Sequence, residues 1–271
     1  MGIVLHESVL LPDFQDSYYS IFRSDMLEPM TVRDIQAIQD AVAEYWPNVR
    51  WVETTGSTNA DLLKEGDPGT VLIADEQTAG KGRLGRHWVS PKGSQLAMSM
   101  VIDVPDEVPP FGLLSIAPGV AVTDVVPQAR LKWPNDVQIG GKKIAGILSA
   151  LDLPRVIVGI GINVAMRTED LPVETATALN LEGLDVDFDD FTADILLAMG
   201  KRLNQWREGD PQLLEDYRAV CSTIGQHVRL EMREGEETVT GTVTGINDEG
   251  EVLIDGSAFS VGDVHHLRPT S

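Results

Sequence analysis

The stretch Gly80–Trp88, GKGRLGRHW, combines three glycines, three strong cations, a histidine and an indole. The chain of 271 residues carries a formal net charge of −21, so the cluster of Lys81, Arg83 and Arg86 is set in an acidic background. Glycine lets a backbone approach a ligand closely, while lysine and arginine bind phosphate or carboxylate. The stretch therefore predicts an anion-binding loop, with the flat face of Trp88 offered to a ring.

Two common phosphate-binding loops do not fit this stretch. Gly80, Gly82 and Gly85 match the dinucleotide pattern G-x-G-x-x-G, which requires a helix to begin at the third glycine. Pro91 and Gly93 interrupt the chain before such a helix fits, and the P-loop pattern is absent. The remaining interpretations are an anion-binding loop of another kind and a solvated turn.

Composition restricts the class of protein. The length suits one large domain and a small one, and a hydrophobic content of 42% provides an ordinary core. The sequence has no apolar run of about 18 residues, which predicts no membrane span. Cys221 is the single cysteine, so the sequence predicts neither a disulfide framework nor a cysteine metal cluster. A cytoplasmic location is therefore expected. The acidic charge disfavours general binding to nucleic acid.

The pattern of elements predicts an α+β fold in three parts. Residues 1–30 are irregular, residues 31–221 mix strands and helices, and residues 222–271 are short strands separated by turns. Thr31 or Asp34 is expected to cap a helix that runs to Trp46. The last part is predicted to be a small β-barrel module.

Two segments carry conflicting signals. Leu113–Val126 has helical spacing, but Pro118 and the adjoining glycine predict a kink or an early break. Val156–Val164 is strand-like, and Gly159 and Gly161 are expected to interrupt it.

The block Lys132–Asp136, KWPND, is a second signal for chemistry. Its lysine, proline turn and Asn-Asp pair form a compact polar corner, although such turns are often purely structural. Gly140 and Gly141 predict a hairpin turn that brings Asp136 close to Lys143 at the open end. This pair is either a surface ion pair or, in a cleft, a group that stabilises phosphate charge.

Two further blocks are open to a structural and a functional interpretation. Ser57–Asn59 fits a helix N-cap, and it also offers hydroxyls and an amide to a neutral ligand group. Gly159–Asn163 fits a close-packed strand, or a slot where a ring lies against backbone. The five histidines show no metal-ligand spacing, and His265 and His266 are predicted to lie at the surface.

Five blocks occur together and in order, and together they closely resemble biotin protein ligases. The resemblance covers about residues 50–165, and the module after Cys221 is similar to the SH3-like C-terminal domain of that family. The blocks are 55–59 (TGSTN), 77–88 (QTAGKGRLGRHW), 132–136 (KWPND), 141–148 (GKKIAGIL) and 159–163 (GIGIN).

The resemblance implies a catalytic fold like that of class II aminoacyl-tRNA synthetases, a mixed sheet flanked by helices. It implies a two-step reaction. Biotin and MgATP first give biotinyl-5′-adenylate and pyrophosphate, and a lysine of a carboxyl-carrier protein or domain then takes the biotinyl group and releases AMP. The acceptor would belong to an acetyl-CoA, acyl-CoA or pyruvate carboxylase, and no tightly bound prosthetic group is expected.

The resemblance also implies a role for each matching residue. Arg83, Lys143 and Asp136 would be catalytic, with Asp136 positioning Mg²⁺ or the incoming lysine. The biotin site would comprise Ser57, Thr58, Asn59, Gln77, Gly80, Lys81, Arg83, Lys143, Gly146, Leu148, Gly159 and Gly161. The ATP and adenylate site would comprise Arg83, Arg86, Trp88, Lys132, Asn135, Lys143 and Asn163, with Trp88 and Asn163 on the adenine side.

Two features depart from the family pattern. Lys81 stands where many members have arginine, which keeps the charge but loses the planar fork. Residues 1–46 hold one predicted helix and little basic character, so a DNA-binding winged helix is not expected, nor is binding to DNA or to a membrane. The alternatives are a lipoate or octanoate ligase of the same fold, a non-catalytic biotin-binding module and a DNA-binding regulator.

Overall fold

A mixed sheet of seven strands forms the centre of the structure. The computed structural model describes residues 33–88, 91–232 and 235–267, so the predictions for residues 1–30 and for Thr31 lie outside it. The strand order is β1-β2-β3-β7-β6-β5-β4, with β1 and β2 parallel and all other neighbours antiparallel. The strands are β1 (Asn48–Thr55), β2 (Thr70–Gln77), β3 (Gln95–Asp103), β4 (Arg130–Lys132), β5 (Asp136–Ile139), β6 (Lys142–Asp152) and β7 (Arg155–Asn163).

Helices cover both faces of this sheet, because the central strands are apolar on both sides. Val71 and Ile73 of β2 point into a large core, whereas Leu72 joins a smaller core around Leu62. The helix of the smaller core connects the parallel pair β1 and β2. The helices are α1 (Ile35–Val42), α2 (Thr58–Glu65), α3 (Phe111–Leu114), α4 (Ile116–Val125), α5 (Phe188–Glu208) and α6 (Gln212–Val220).

Three sequence expectations about these elements are confirmed in part or corrected. Asp34 caps α1, as expected, but the helix ends at Val42 rather than at Trp46. The helical segment after Leu113 breaks at Ser115, and Pro118 falls in the first turn of α4, where backbone N–H groups have no intrahelical partner. The strand β7 continues through Gly159 and Gly161 without interruption.

The turn between β5 and β6 follows the sequence expectation. Gly140 and Gly141 have φ of +57° and +81°, the two positive values that a tight hairpin turn requires. The hairpin brings its open end, Asp136 and Gly146, into register beside the sheet's central strands.

Residues after α6 form a second, antiparallel sheet of five strands. Its order is β11-β10-β9-β8-β12, and its core contains Val228, Leu230 and Val264 among other aliphatic side chains. The sequence pattern predicts four strands here, over residues 227–232, 238–247, 251–255 and 257–261. These match β8 to β11 within one or two residues, whereas β12 is not predicted. The strands are β8 (His227–Met232), β9 (Glu237–Ile246), β10 (Val252–Ile254), β11 (Ser257–Phe259) and β12 (Asp263–His266).

The small sheet docks on the KWPND turn and on α3. The Trp133 indole donates to the Gly250 carbonyl at 3.0 Å, and the Trp133 backbone N–H donates to the Thr223 hydroxyl at 3.0 Å. Gly112 lies so close that an added Cβ would stand 2.1 Å from the Glu249 carbonyl oxygen. The turn that carries Lys132 and Asp136 is therefore held on its far side by the small sheet.

Candidate active site

A cavity of about 580 Å³ opens on the sheet face that α2 covers. Side chains alternate along a strand, so Ser99 of β3 and Gly159 and Gly161 of β7 share this face, while their neighbours enter the large core. The cavity is closed around them by the start of α2, the loop Gly80–Trp88 (the cationic loop), the KWPND turn and β12.

The deep part of the cavity is a neutral cluster made of Thr58, Asn59, Gln77 and Ser99. Ser57 caps α2 with its hydroxyl, which turns the next two side chains inward. The Thr58 N–H donates to Gln77 Oε1 at 2.9 Å, and the Thr58 and Ser99 hydroxyl oxygens are 2.6 Å apart. Ser99 donates to Asn59 Oδ1 at 2.5 Å, and Asn59 Nδ2 donates to the Leu148 carbonyl at 2.9 Å. The cluster suits a neutral ligand head with its own donors and acceptors.

Glycines beside this cluster make room for two side chains. A Cβ on Gly159 would lie 2.2 Å from Asn59 Oδ1, and one on Gly161 would lie 2.4 Å from Trp88 Nε1. A Cβ on Gly146 would meet the other edge of the same indole at 3.1 Å. The indole therefore lies flat against the backbone of β6 and β7. Trp88, Gly146 and Gly161 together form an apolar wall, called the glycine wall below.

A buried chain of amides fixes the orientation of that indole. Trp88 Nε1 donates to Gln95 Oε1 at 2.8 Å, and Gln95 Nε2 donates to Asn163 Oδ1 at 3.0 Å. Asn163 Nδ2 donates to the Thr177 carbonyl at 2.8 Å. Gln95 and Asn163 are both buried, so Asn163 acts by positioning Gln95, which in turn holds the Trp88 indole.

Positive charge collects opposite the glycines. Lys143 Nζ lies 2.5 Å from Asp136 Oδ1 and 5.4 Å from the centroid of the Trp88 ring. The sequence prediction that the hairpin brings Asp136 close to Lys143 is confirmed. Lys143 itself lies opposite Gln138, near the turn, and its side chain reaches toward Asp136 at the open end. Burial lowers the pKa of Lys132, and the ammonium of Lys143 lowers it further, against the opposing effect of Asp136. A bound anion would relieve this crowding of cations.

The cationic loop closes on itself and on the small sheet. The Gly82 N–H donates to the Arg86 carbonyl at 2.7 Å, and the Trp88 N–H donates to the Gly80 carbonyl at 2.9 Å. Arg83 Nη1 donates to Asn135 Oδ1 at 3.3 Å, and the pKa of Arg83 is lowered mainly by burial. The exposed guanidinium of Arg86 forms an ion pair with Asp263 of β12.

The structure brings the proposed site residues together around this cavity, with one exception. Gly80 does not line it, because its Cα faces the Trp88 carbonyl, 2.6 Å from where a Cβ would stand. The residues that do line it are Ser57, Thr58, Asn59, Gln77, Lys81, Arg83, Arg86, Trp88, Lys132, Asn135, Asp136, Lys143, Gly146, Leu148, Gly159, Gly161 and Asn163.

Sequence reasoning missed several residues of the site, among them Gln95, Ser99, Asp263 and His266. Gln95 and Ser99 are polar positions four apart in an apolar strand, which places both on one face, and this spacing was the available signal. Asp263 and His266 lie on β12, which the sequence pattern did not predict. His266 was expected at the surface, but it is half-buried and lines the cavity, and its pKa is lowered by burial and by Lys132.

Two observations bear on metals and membranes. Within the described parts of the chain, no three histidine, cysteine, aspartate or glutamate side chains converge on a possible metal position. Among the helices of the described residues, none has the length and apolarity needed to cross a membrane.

Comparison with known proteins identifies two family models along the chain. Residues 51–166 match the biotin/lipoate A/B protein ligase family, and residues 223–266 match the biotin protein ligase C terminal domain. The first range contains the cationic loop, the KWPND turn and the glycine wall. The second contains the five-stranded sheet.

Curated relatives and solved structures agree with these matches. The biotin–[acetyl-CoA-carboxylase] ligase of Mycobacterium tuberculosis is 38% identical, over 91% of this chain and 99% of that protein. The bifunctional ligase/repressor BirA of Bacillus subtilis is 33% identical, over 75% of this chain and 67% of that protein. The Aquifex aeolicus biotin protein ligase, solved with biotin and ATP, superposes with a TM-score of 0.72 at 30% identity, covering 82% of this chain and all of that one.

Proposed function

Because this chain belongs to the biotin/lipoate A/B protein ligase family, we propose that it is a biotin–[acetyl-CoA-carboxylase] ligase that works in two steps. A carboxylate oxygen of biotin attacks the α-phosphorus of ATP, and the bond to the β-phosphate breaks to release pyrophosphate. The amine of an acceptor lysine then attacks the acyl carbon. A C–N bond forms, the bond from that carbon to the phosphate oxygen breaks, AMP leaves, and the amine loses its proton to water.

The observation that carries this proposal is the position of Lys143. Its ammonium lies between the Trp88 wall and Asp136, at the junction of the neutral cluster and the cations. A carboxylate whose apolar chain lies along the wall would end at Lys143, where a nucleotide phosphate also needs a cation. Lys143 is therefore assigned to the charge that develops at the α-phosphate.

The neutral cluster suits the ureido ring of biotin. That ring carries two N–H donors and one carbonyl acceptor, and Thr58, Asn59 and Gln77 offer matching groups. The wall of Gly146, Gly161 and Trp88 suits the aliphatic tail. Trp88 is thus assigned to the biotin tail and not to the adenine side, which the resemblance had implied. The other liners from the resemblance, including Lys81, Leu148 and Gly159, keep their assignment to biotin.

The cations around the mouth suit the phosphates of the nucleotide. Arg83, Arg86 and Lys132 are assigned to the phosphates. Asn135 holds Arg83 through its Oδ1, and Asn163 positions Trp88 through Gln95, so neither is assigned to the nucleoside, contrary to what the resemblance had implied. Asp136 is engaged by Lys143 and Asp263 by Arg86, so a magnesium ion would be held mainly by phosphate oxygens and water. Magnesium there would neutralise charge on the phosphates, while Asp136 orients Lys143.

Further parts of the proposal concern partners, place and organisation. The acceptor is a biotin carboxyl carrier protein or domain of an acetyl-CoA, acyl-CoA or pyruvate carboxylase, met in the cytoplasm. Neither DNA nor a membrane is a partner. Residues 31–221 form the catalytic domain and residues 222–271 the SH3-like domain.

The test is incubation with labelled biotin, ATP and a carrier domain. We expect pyrophosphate release and label on one lysine of the carrier. Lipoate and octanoate should neither be transferred to the carrier nor compete with biotin. Transfer of lipoate at a rate equal to that of biotin would favour the lipoate-ligase alternative. Tight biotin binding without pyrophosphate release would favour a non-catalytic binding module.

A further inference from the structure

A second cavity of about 460 Å³ lies on the other side of the KWPND turn. It is bounded by the start of α3 and by the turn between β9 and β10. It shares Arg83 and Trp133–Asn135 with the first cavity, so this turn and this side chain separate the two spaces. The proposed function leaves it unused.

The lining of the second cavity differs in charge from that of the first. The first contains Lys81, Arg83, Arg86, Lys132 and Lys143 against the two carboxylates Asp136 and Asp263. In the second, Arg83 is the one cation among the lining residues that the structure describes, and two glutamates, Glu249 and Glu251, accompany it. A cationic group is repelled at the first opening and attracted at the second.

The residues that line the second cavity fit a lysine side chain. Phe111, Pro110 and Trp133 supply apolar and aromatic surface for an aliphatic stem. Glu249 is exposed and Glu251 is half-buried, so both carboxylates can meet an ammonium group as it enters. Glu251 is held in place by Asn247, whose Nδ2 donates to Glu251 Oε2 at 2.8 Å.

We propose that the second cavity is the entry port for the acceptor lysine. This inference rests on the proposed function, since it assigns a route to the amine of the second step. The stem packs against Phe111 and Trp133, the glutamates attract the ammonium, and the amine reaches the acyl carbon past Asn135. The adenylate forms and stays in the first cavity, on the other side of the turn.

The Arg83–Asn135 contact separates the two cavities. At 3.3 Å it is a long hydrogen bond, so an anion in the first cavity competes readily for the guanidinium. When Arg83 turns to the phosphate, Asn135 Oδ1 is left without that donor and can accept from the incoming ammonium. The port is therefore completed by the adenylate, which places lysine binding after adenylation.

The test separates the two steps in the full-length protein. The Glu249→Gln, Glu251→Gln double variant is compared with Asp248→Asn, which changes a neighbouring carboxylate that pairs with Arg218 and does not line the cavity. We expect normal pyrophosphate release in all of them. In single-turnover transfer from preformed biotinyl-adenylate, the carrier concentration at half-maximal rate should rise about tenfold in the double variant alone, with a weaker salt dependence. Equal transfer by the double variant and Asp248→Asn overturns the port.

A second variant blocks the space rather than the charge. Ser260 lines the second cavity, and Ser260→Phe should fill it and slow transfer to the carrier. Hydroxylamine, a small neutral nucleophile, should still trap the adenylate as the hydroxamate at the wild-type rate. Full-rate transfer to the carrier by a folded Ser260→Phe protein contradicts the proposal. Failure of the wild-type protein to release pyrophosphate would instead contradict the proposed function.

Discussion

The neutral cluster and the cationic loop are two walls of one cavity, and they are held in different ways. Thr58, Asn59 and Ser99 are bonded to one another and to strand backbone, on a helix start and a central strand. The cationic loop is held by its own backbone hydrogen bonds and by the Trp88–Gln95 hydrogen bond at its end. Its charged side chains are held by the long Arg83–Asn135 contact and by the exposed pair of Arg86 with Asp263. The neutral part of the site is thus preformed, while the side chains of Arg83 and Arg86 are held by contacts that an anion can replace.

The largest effect is expected where the two walls meet. Lys143→Ala should slow pyrophosphate release by about 10²–10³, because a charge that acts on the developing phosphate charge is lost. Lys142→Ala is the matched control, since the neighbouring lysine is exposed and does not line the cavity. Near-normal adenylation by Lys143→Ala, with biotin binding intact, would mean that the lysine has no such role.

A smaller effect is expected in the cationic loop. Arg83→Ala should release biotinyl-adenylate roughly ten to a hundred times faster, because charge-assisted hydrogen bonds contribute about 1.5–3 kcal/mol. Arg207→Ala, which removes an arginine paired with Asp103 outside the cavity, should leave the release rate unchanged. Amide exchange over residues 78–88 should slow with biotin and ATP in the wild-type protein. Equal exchange with and without ligand would show that the loop is as preformed as the neutral cluster.

The glycine wall tests the preformed side of the comparison. Gly161→Ala forces the Trp88 indole away, and core overpacking of this kind costs about 1–3 kcal/mol. The KM for biotin should rise about tenfold while the KM for ATP changes little. Gly245→Ala is the control, because its Cβ would meet only one carbon, at 3.9 Å. If both kinetic constants stayed at their wild-type values in Gly161→Ala, the indole would not be part of the biotin pocket.

The smallest effect is expected at the link between the cationic loop and the small sheet. Asp263→Asn removes an exposed ion pair, and such pairs contribute about 0.2–1 kcal/mol. Adenylate release should accelerate by about fivefold at most, and this difference should vanish at high salt. If Asp263→Asn accelerated adenylate release as much as Arg83→Ala, the small sheet rather than the ligand would hold the loop closed.

Local rules predicted the parts of the site that are close in sequence. The closeness of Asp136 and Lys143 follows from the hairpin, because the turn at Gly140 and Gly141 brings the two short strands side by side. The Lys143 side chain then reaches Asp136 from its position opposite Gln138. The start of α2 follows from the capping preference of Ser57. Such contacts lie within one element or one turn, so the sequence between them determines the geometry.

Contacts between distant segments were not predictable in the same way. Gly159 and Gly161 suggested an interrupted strand, since nothing local shows that Asn59 and Trp88 occupy the space of the missing side chains. The position of β12 depends on its pairing with β8 and on the docking of the small sheet. Its residues Asp263 and His266 therefore enter the site through tertiary packing alone.

The close approach of Gly112 to Gly250 limits how this enzyme can be recombined with its relatives. A Cβ on Gly250 would lie 2.9 Å from the carbonyl carbon of Gly112, and a Cβ on Gly112 would lie 2.1 Å from the Glu249 carbonyl oxygen. The Trp133 indole binds the Gly250 carbonyl. A chimera that imports a small sheet with a larger residue at position 250 would shift the KWPND turn and, with it, Lys132 and Asp136. We therefore expect exchange of modules to succeed only when both partners of this contact are transferred together.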